Sequence, residues 1–174
     1  HRIDGSTTTL ASVLADTFTD GFLVLRDGAV VVESYPSGAR PDTRHLLMSV
    51  TKSFVGCVVG ILVDKGVLDP HAPVTAYVPE LGRSGYDGAT VRHLLDMRSG
   101  IAFSEDYLDP DAEVRVIEEV IAWRPRVHAG LPTSMYDYLI TLGKSGEHGG
   151  VFAYRSCETD VLGWVCERSS GMRM

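Results

Sequence analysis

The run Phe54-Val55-Gly56-Cys57-Val58-Val59-Gly60-Ile61-Leu62-Val63 most constrains what this chain can fold into. It is apolar on every side of a helical projection, and such a helix has to be covered all round by other parts of a fold. Gly66 follows as a natural C′ stop, so the spacing predicts a buried central helix over 49–65. At its head stands Ser49-Val50-Thr51-Lys52. Residues i and i+3 share a helix face, so the Lys52 amine can reach the Ser49 hydroxyl. A serine hydroxyl is a weak nucleophile until a base takes its proton, and a lysine whose charge is disfavoured by burial or by other cations can be that base. The pair points to acyl transfer. The plainer reading makes Ser49 an N-cap and Lys52 a first-turn surface residue.

At 174 residues the chain can bury one sizeable core. A net charge of −7 without any Lys/Arg block excludes the basic stripe that nucleic-acid binding needs. No apolar run is long enough to span a membrane. Cys57, Cys157 and Cys166 are an odd number, which rules out a complete disulfide framework and favours a reducing, cytoplasmic setting. Cys57, within the apolar run, reads as a small core residue. The six histidines (His1, His45, His71, His93, His128 and His148) show no pair spacing for a metal and read as surface or loop residues, so neither metal nor other cofactor is expected.

A short helix is expected near Thr8–Thr17, then two β-rich runs over 21–35 turning at Asp27-Gly28, a hairpin signal because glycine accepts positive φ. Pro36, Gly38 and Pro41 break the chain before the serine helix, and a mostly helical region covers 49–170. Its expected helices are Val91–Met97 capped by Thr90, Asp111–Trp123 after Pro110, Thr133–Leu142, and one capped by Ser156 running to Arg168. The last has Val161, Leu162, Val165 and Cys166 as its inner face. Glu113, Glu118 and Glu119 read as the wet face of an amphipathic helix. Gly143-Lys144-Ser145 ends like a phosphate-binding loop, but Tyr138 stands where the earlier glycine belongs.

An activated serine also needs a second proton-handling group and oxyanion donors. Tyr154-Arg155-Ser156, just before the last helix, supplies the best phenol; Tyr35-Pro36-Ser37 has the same spelling but closes the hairpin and ranks lower. In this order the hairpin, Ser49-Val50-Thr51-Lys52, Gly66-Val67-Leu68-Asp69, the segment Val91-Arg92-His93-Leu94-Leu95-Asp96-Met97-Arg98-Ser99-Gly100 and Tyr154-Arg155-Ser156 resemble the serine β-lactamase and penicillin-recognising family. Its class C-like esterase branch is nearest. Within it, Arg44-His45-Leu46-Leu47-Met48-Ser49-Val50-Thr51-Lys52-Ser53, Tyr77-Val78-Pro79-Glu80-Leu81 and Glu105-Asp106-Tyr107-Leu108-Asp109-Pro110 are similar to the nylon-oligomer (6-aminohexanoate-dimer) hydrolases.

The resemblance implies an α/β (α+β) fold of the β-lactamase/transpeptidase type. It also implies a serine acylated at Ser49, Lys52 as its base and Tyr154 as proton relay, with Tyr107 and Trp123 at the substrate mouth. Glu118 falls where that group can carry an acidic residue facing a substrate amine, and Ser156 takes the place of the family's usual asparagine. The family's sites end with a Lys-Thr-Gly or His-x-Gly strand that supplies an oxyanion N–H; no such motif follows Tyr154. Residues 1–174 are therefore expected to be the N-terminal portion of one catalytic domain, lacking the C-terminal sheet strands and acting with a C-terminal half. The expected substrate is a small amide or ester: a 6-aminohexanoate oligomer, a carboxylic ester or a β-lactam. The alternatives are a non-catalytic binding or sensor module and a fragment inactive until joined to its second half.

Overall fold

The computed structural model describes residues 5–174, so His1 lies outside the described residues. The chain divides into two compact units, one ending at Leu46 and the other running from Leu47 to Met174.

The first unit contains helix α1 (Leu10–Asp16) and strands β1 (Phe22–Arg26) and β2 (Ala29–Ser34). Thr9 caps α1 by accepting the Ser12 N–H at 3.1 Å. The strands pair antiparallel from Phe22↔Ser34 to Arg26↔Ala29, with a register shift at Val24/Leu25. Asp27 (φ +51°) and Gly28 (φ +78°) form the two-residue loop; positive φ at both positions is what a primed hairpin turn requires. Leu23, Leu25, Val30, Val31 and Val32 are all exposed on this ribbon.

The second unit is helical: α2 (Thr51–Asp64), α3 (Val91–Leu95), α4 (Glu113–Val120), α5 (Met135–Leu139) and α6 (Cys157–Ser170), with short 3-10 turns between them. Its core gathers Val55, Val59 and Leu62 of α2, Val91 and Leu94 of α3, and Val161, Leu162, Val165 and Cys166 of α6 around Leu81, Tyr86 and Leu139. All four residues expected on the inner face of α6 are buried there. Tyr136 of α5 stacks on Trp164 of α6, ring centroids 4.3 Å apart. α2 ends in a Schellman motif: Gly66 (φ +68°) donates to Val63, and Val67 donates to Leu62.

Several expectations need correction. α2 is not covered all round: Val55, Val59 and Leu62 are buried against the unit's core, whereas Phe54 and Ile61 are more than half exposed and Cys57 is exposed rather than in the core. All-round apolarity reports what a helix needs covered, and among the described residues only one face of α2 has its cover. Helix α4 is shorter than the 111–123 expected, because Ala122 takes φ +61° and turns the chain out of the helix. α5 spans only Met135–Leu139, capped by Ser134. Thr90 does cap α3, and His93 completes a capping box by accepting the Thr90 N–H through Nδ1. Ser156 occupies the N-cap position of α6, yet its side chain makes no capping bond. The acidic face of α4 is not uniformly wet: Glu119 is fully buried, and its carboxylate accepts the N–H groups of Val127 and His128 and meets His128 Nδ1 at 3.0 Å.

Candidate active site

Ser49 is not in α2 itself. It sits in the 3-10 turn Met48–Val50 that feeds the helix, and the residue before it, Met48, takes φ +47°. A left-handed non-glycine residue costs about 1–2 kcal/mol, so the turn presenting Ser49 is strained. Lys52 follows in the first turn of α2, three residues on and so on the same face as Ser49. Lys52 Nζ lies 3.3 Å from Ser49 Oγ. The Tyr154 hydroxyl donates to the same oxygen at 2.7 Å from 105 residues away in sequence. Lys52 Nζ also stands 5.6 Å from the centroid of the Tyr154 ring. An amine and a phenol therefore converge on the exposed hydroxyl oxygen of Ser49. The alternative phenol, Tyr35, gives its hydroxyl to Glu33 at 2.6 Å.

Glu105, unremarked in the sequence beyond its motif, ties the site to its surroundings. Its Oε1 accepts the Ser156 N–H and its Oε2 accepts the Tyr107 hydroxyl at 2.8 Å. Burial together with that carboxylate raises the Tyr107 phenol above its ordinary range. Tyr107 is thus held beside the Tyr154–Ser156 segment, with the Arg115 guanidinium 5.3 Å from its ring centroid. Asp160, four residues after Ser156 on α6, is pushed up to about 6 by burial, opposed by the Lys52 charge and reinforced by Glu105.

Beyond Tyr107 opens a cleft of about 390 Å³ lined by Tyr107, Leu108, Pro110, Arg115, Glu118 and Arg124. Glu118 takes Arg115 Nη1 on both carboxylate oxygens at 3.0 Å, with Arg124 at 3.9 Å. Trp123 lies outside that lining; it is 60% exposed, and its backbone N–H donates to the Glu118 backbone carbonyl at 2.8 Å. The geometry thus joins Ser49, Lys52 and Tyr154 directly, attaches Ser156 and Tyr107 through Glu105, and groups Glu118 with Tyr107 in the cleft. Among the described residues no His, Cys, Asp and Glu cluster has the form of a metal site, and no helix is long and apolar enough to cross a membrane.

A strained turn that presents a serine to a lysine one helical turn on and to a distant tyrosine is an arrangement suited to acyl transfer. The chain belongs to the β-lactamase family, whose model matches residues 13–174. It is 48% identical over 175 residues to the 6-aminohexanoate-dimer hydrolase of Paenarthrobacter ureafaciens, a match covering 99% of this chain and 44% of that protein. A solved structure from Bacillus anthracis, assigned as a 6-aminohexanoate-dimer hydrolase, superposes with a TM-score of 0.83 at 26% identity, covering 97% of this chain and 45% of that one. A family VIII carboxylesterase shares the fold with a TM-score of 0.61 at 23% identity, over 92% of this chain and 43% of its own. The chain spans less than half the length of these relatives.

Proposed function

We propose that this chain carries the nucleophile-bearing part of a serine hydrolase that cleaves a small amide or ester through an acyl-enzyme on Ser49. The observation that carries this is the convergence of Lys52 Nζ and the Tyr154 hydroxyl on Ser49 Oγ, at 3.3 and 2.7 Å. Lys52 takes the Oγ proton as Oγ attacks the substrate carbonyl, giving a tetrahedral intermediate. Tyr154 then delivers a proton to the departing amine or alkoxide, and the reverse relay activates the water that frees Ser49. The Ser49 N–H serves as one oxyanion donor, and the second comes from outside residues 1–174.

Tyr107, Glu118, Trp123 and Ser156 are the proposed substrate contacts. Tyr107 lines the cleft and is tied through Glu105 to Ser156, so the cleft is where a linear substrate would leave its tail. Glu118 would meet an amine there, in competition with Arg115. The 48% identity to a 6-aminohexanoate-dimer hydrolase supports a linear amide as the first substrate class to test. The partner in this reading is a C-terminal segment, in cis or as a second polypeptide, that covers the open face of α2 around Phe54 and Ile61 and completes the oxyanion hole.

The test is hydrolysis of a short p-nitrophenyl ester and of a 6-aminohexanoate dimer. Each is assayed by the chain alone and by the chain joined to a segment equivalent to the rest of its relatives' length. Turnover by the joined protein that is lost in Ser49→Ala is the expected result. Turnover that survives Ser49→Ala refutes the assignment, and binding without turnover by the joined protein indicates a sensor.

A further inference from the structure

A buried polar cluster between the turn after α3 and the start of α6 has no part in the chemistry above. Glu158 is fully buried, accepts the Ser99 hydroxyl at 2.5 Å and stands 3.6 Å from Arg155 Nη1. That same nitrogen donates to the Ala153 carbonyl at 3.3 Å. One guanidinium therefore joins the backbone just before Tyr154 to a carboxylate just after it. The lead-in to Tyr154 is also fastened to the turn that carries Ser99. Ala153 donates to the Met97 carbonyl at 3.0 Å and Gly149 to the Arg98 carbonyl at 2.8 Å, and Arg98 donates back to the carbonyls of Gly149 and Gly150. Glu158 Oε2 and Arg155 Nε are buried without a hydrogen-bond partner. A buried ion pair left with open valences is a poor source of stability, which directs attention to the geometry it fixes.

We propose that Glu158 is the positioning residue for Tyr154: through Arg155 and Ser99, its carboxylate holds residues 153–156 so that the Tyr154 hydroxyl meets Ser49 Oγ. The proposal rests on Tyr154 being the proton relay. It also explains a polar residue at 158, 161, 162, 165 spacing on the otherwise apolar inner face of α6. Burial pushes the Glu158 carboxyl up to about 7, with Ser99 and Arg155 pulling the other way. Tyr86 and Cys157 also lie around it, bond to each other at 3.3 Å and are both raised by burial; on the far side of Ser99, His148 Nδ1 meets the Ser99 carbonyl, with His93 stacked against its ring. Asp160, raised to about 6, lies further along α6 and faces Lys52 and Glu105. The ionised Glu158 that Arg155 needs is present above about pH 7 and lost as pH falls through it, so activity acquires an acid limb there.

The experiment compares the chain, joined to a segment equivalent to the rest of its relatives' length, with the same protein carrying Glu158→Gln, using p-nitrophenyl ester hydrolysis from pH 5 to 9. Glu158→Gln should lower kcat roughly 10- to 100-fold with KM little changed, the scale of a catalytic group displaced by about an ångström. The acid limb near 7 should disappear, and Glu158→Asp should restore part of both. In a Tyr154→Phe background Glu158→Gln should cost nothing further. An equal loss in both backgrounds, or an unmoved acid limb, overturns the proposal. If Glu158→Gln does not fold, Ser99→Ala removes one of the two contacts and should show the same kcat loss and non-additivity; full kcat in Ser99→Ala overturns it. Hydrogen exchange over 150–157 separates this proposal from the hydrolase assignment, because it needs no turnover. Faster exchange confined to that segment in Glu158→Gln or Ser99→Ala supports the positioning role even if Ser49 is never acylated, and unchanged exchange refutes it.

Discussion

Gly100→Ala is the substitution whose cost follows most directly from the structure. Gly100 adopts φ +70°, and a Cβ there would lie 2.4 Å from the Gly146 carbonyl oxygen, 2.8 Å from its carbon and 2.9 Å from the Glu147 oxygen. These are backbone atoms, which cannot rotate away as a side chain would. The Gly100 carbonyl accepts the N–H groups of Ser145 (2.9 Å) and Gly146 (3.0 Å), so a loop forced outward puts both bonds at risk. Left-handed strain of about 1–2 kcal/mol with two bonds of about 0.5–1.5 kcal/mol each gives a total near 2–5 kcal/mol. Gly66→Ala is the control: φ is +68° but nothing lies within 4 Å of its Cβ, so only the strain of about 1–2 kcal/mol applies. Urea denaturation followed by circular dichroism measures both, and at this chain length each kcal/mol should also move Tm by roughly 2–4 °C. If Gly100→Ala proves no more costly than Gly66→Ala, the close approach of the 99–101 turn to residues 146–147 is wrong, and with it the scaffold behind Tyr154.

Lys52→Ala and Tyr154→Phe should each lower kcat/KM about 10²- to 10⁴-fold, the usual worth of a proton-transfer group; a loss below tenfold in steady-state ester hydrolysis would remove that residue from the mechanism. The Glu119–His128–Asp111 cluster should shape stability against pH. Glu119 is lowered to about 2, chiefly by the Val127 N–H, so its contribution is full above about 4.5 and fades as pH falls toward 2. His128 is raised from 6.5, chiefly by Glu119, so its contribution is full below 6.5 and fades as pH rises through its folded value. The cluster's contribution to Tm, read as the difference between the unaltered chain and Glu119→Gln, should therefore be largest between about pH 4.5 and 6.5; a difference that does not vary with pH would contradict the cluster. Glu118→Gln should raise KM about tenfold for an amine-terminated amide and leave a neutral ester unaffected; equal effects on both would exclude an amine contact.

Local chemistry was legible in the sequence where one short stretch decides the structure. Asp27-Gly28 dictated a primed turn, Gly66 a helix stop, and Ser49 with Lys52 a shared face. The same stretch misled where burial depends on distant chain: the apolar run over 54–63 reads as covered, but Phe54 and Ile61 have no cover among the described residues. Glu119 read as solvated because its partners, the N–H groups of Val127 and His128, lie beyond the helix end in a loop whose path has no pattern. The strain at Met48 was invisible, since methionine has no preference for positive φ. Glu158 could have been found, as its spacing places it among the inward residues of α6. Its partner Ser99 could not, because the two are 59 residues apart.

Intact-mass spectrometry of the chain joined to a segment equivalent to the rest of its relatives' length, quenched during turnover of a p-nitrophenyl ester, tests the central claim most directly. An increment of one acyl group that maps to the peptide carrying Ser49, builds up further in Tyr154→Phe as hydrolysis slows, and is absent from Ser49→Ala is the predicted result. Acylation that persists in Ser49→Ala, or turnover with no adduct at Ser49 in any variant, would contradict it.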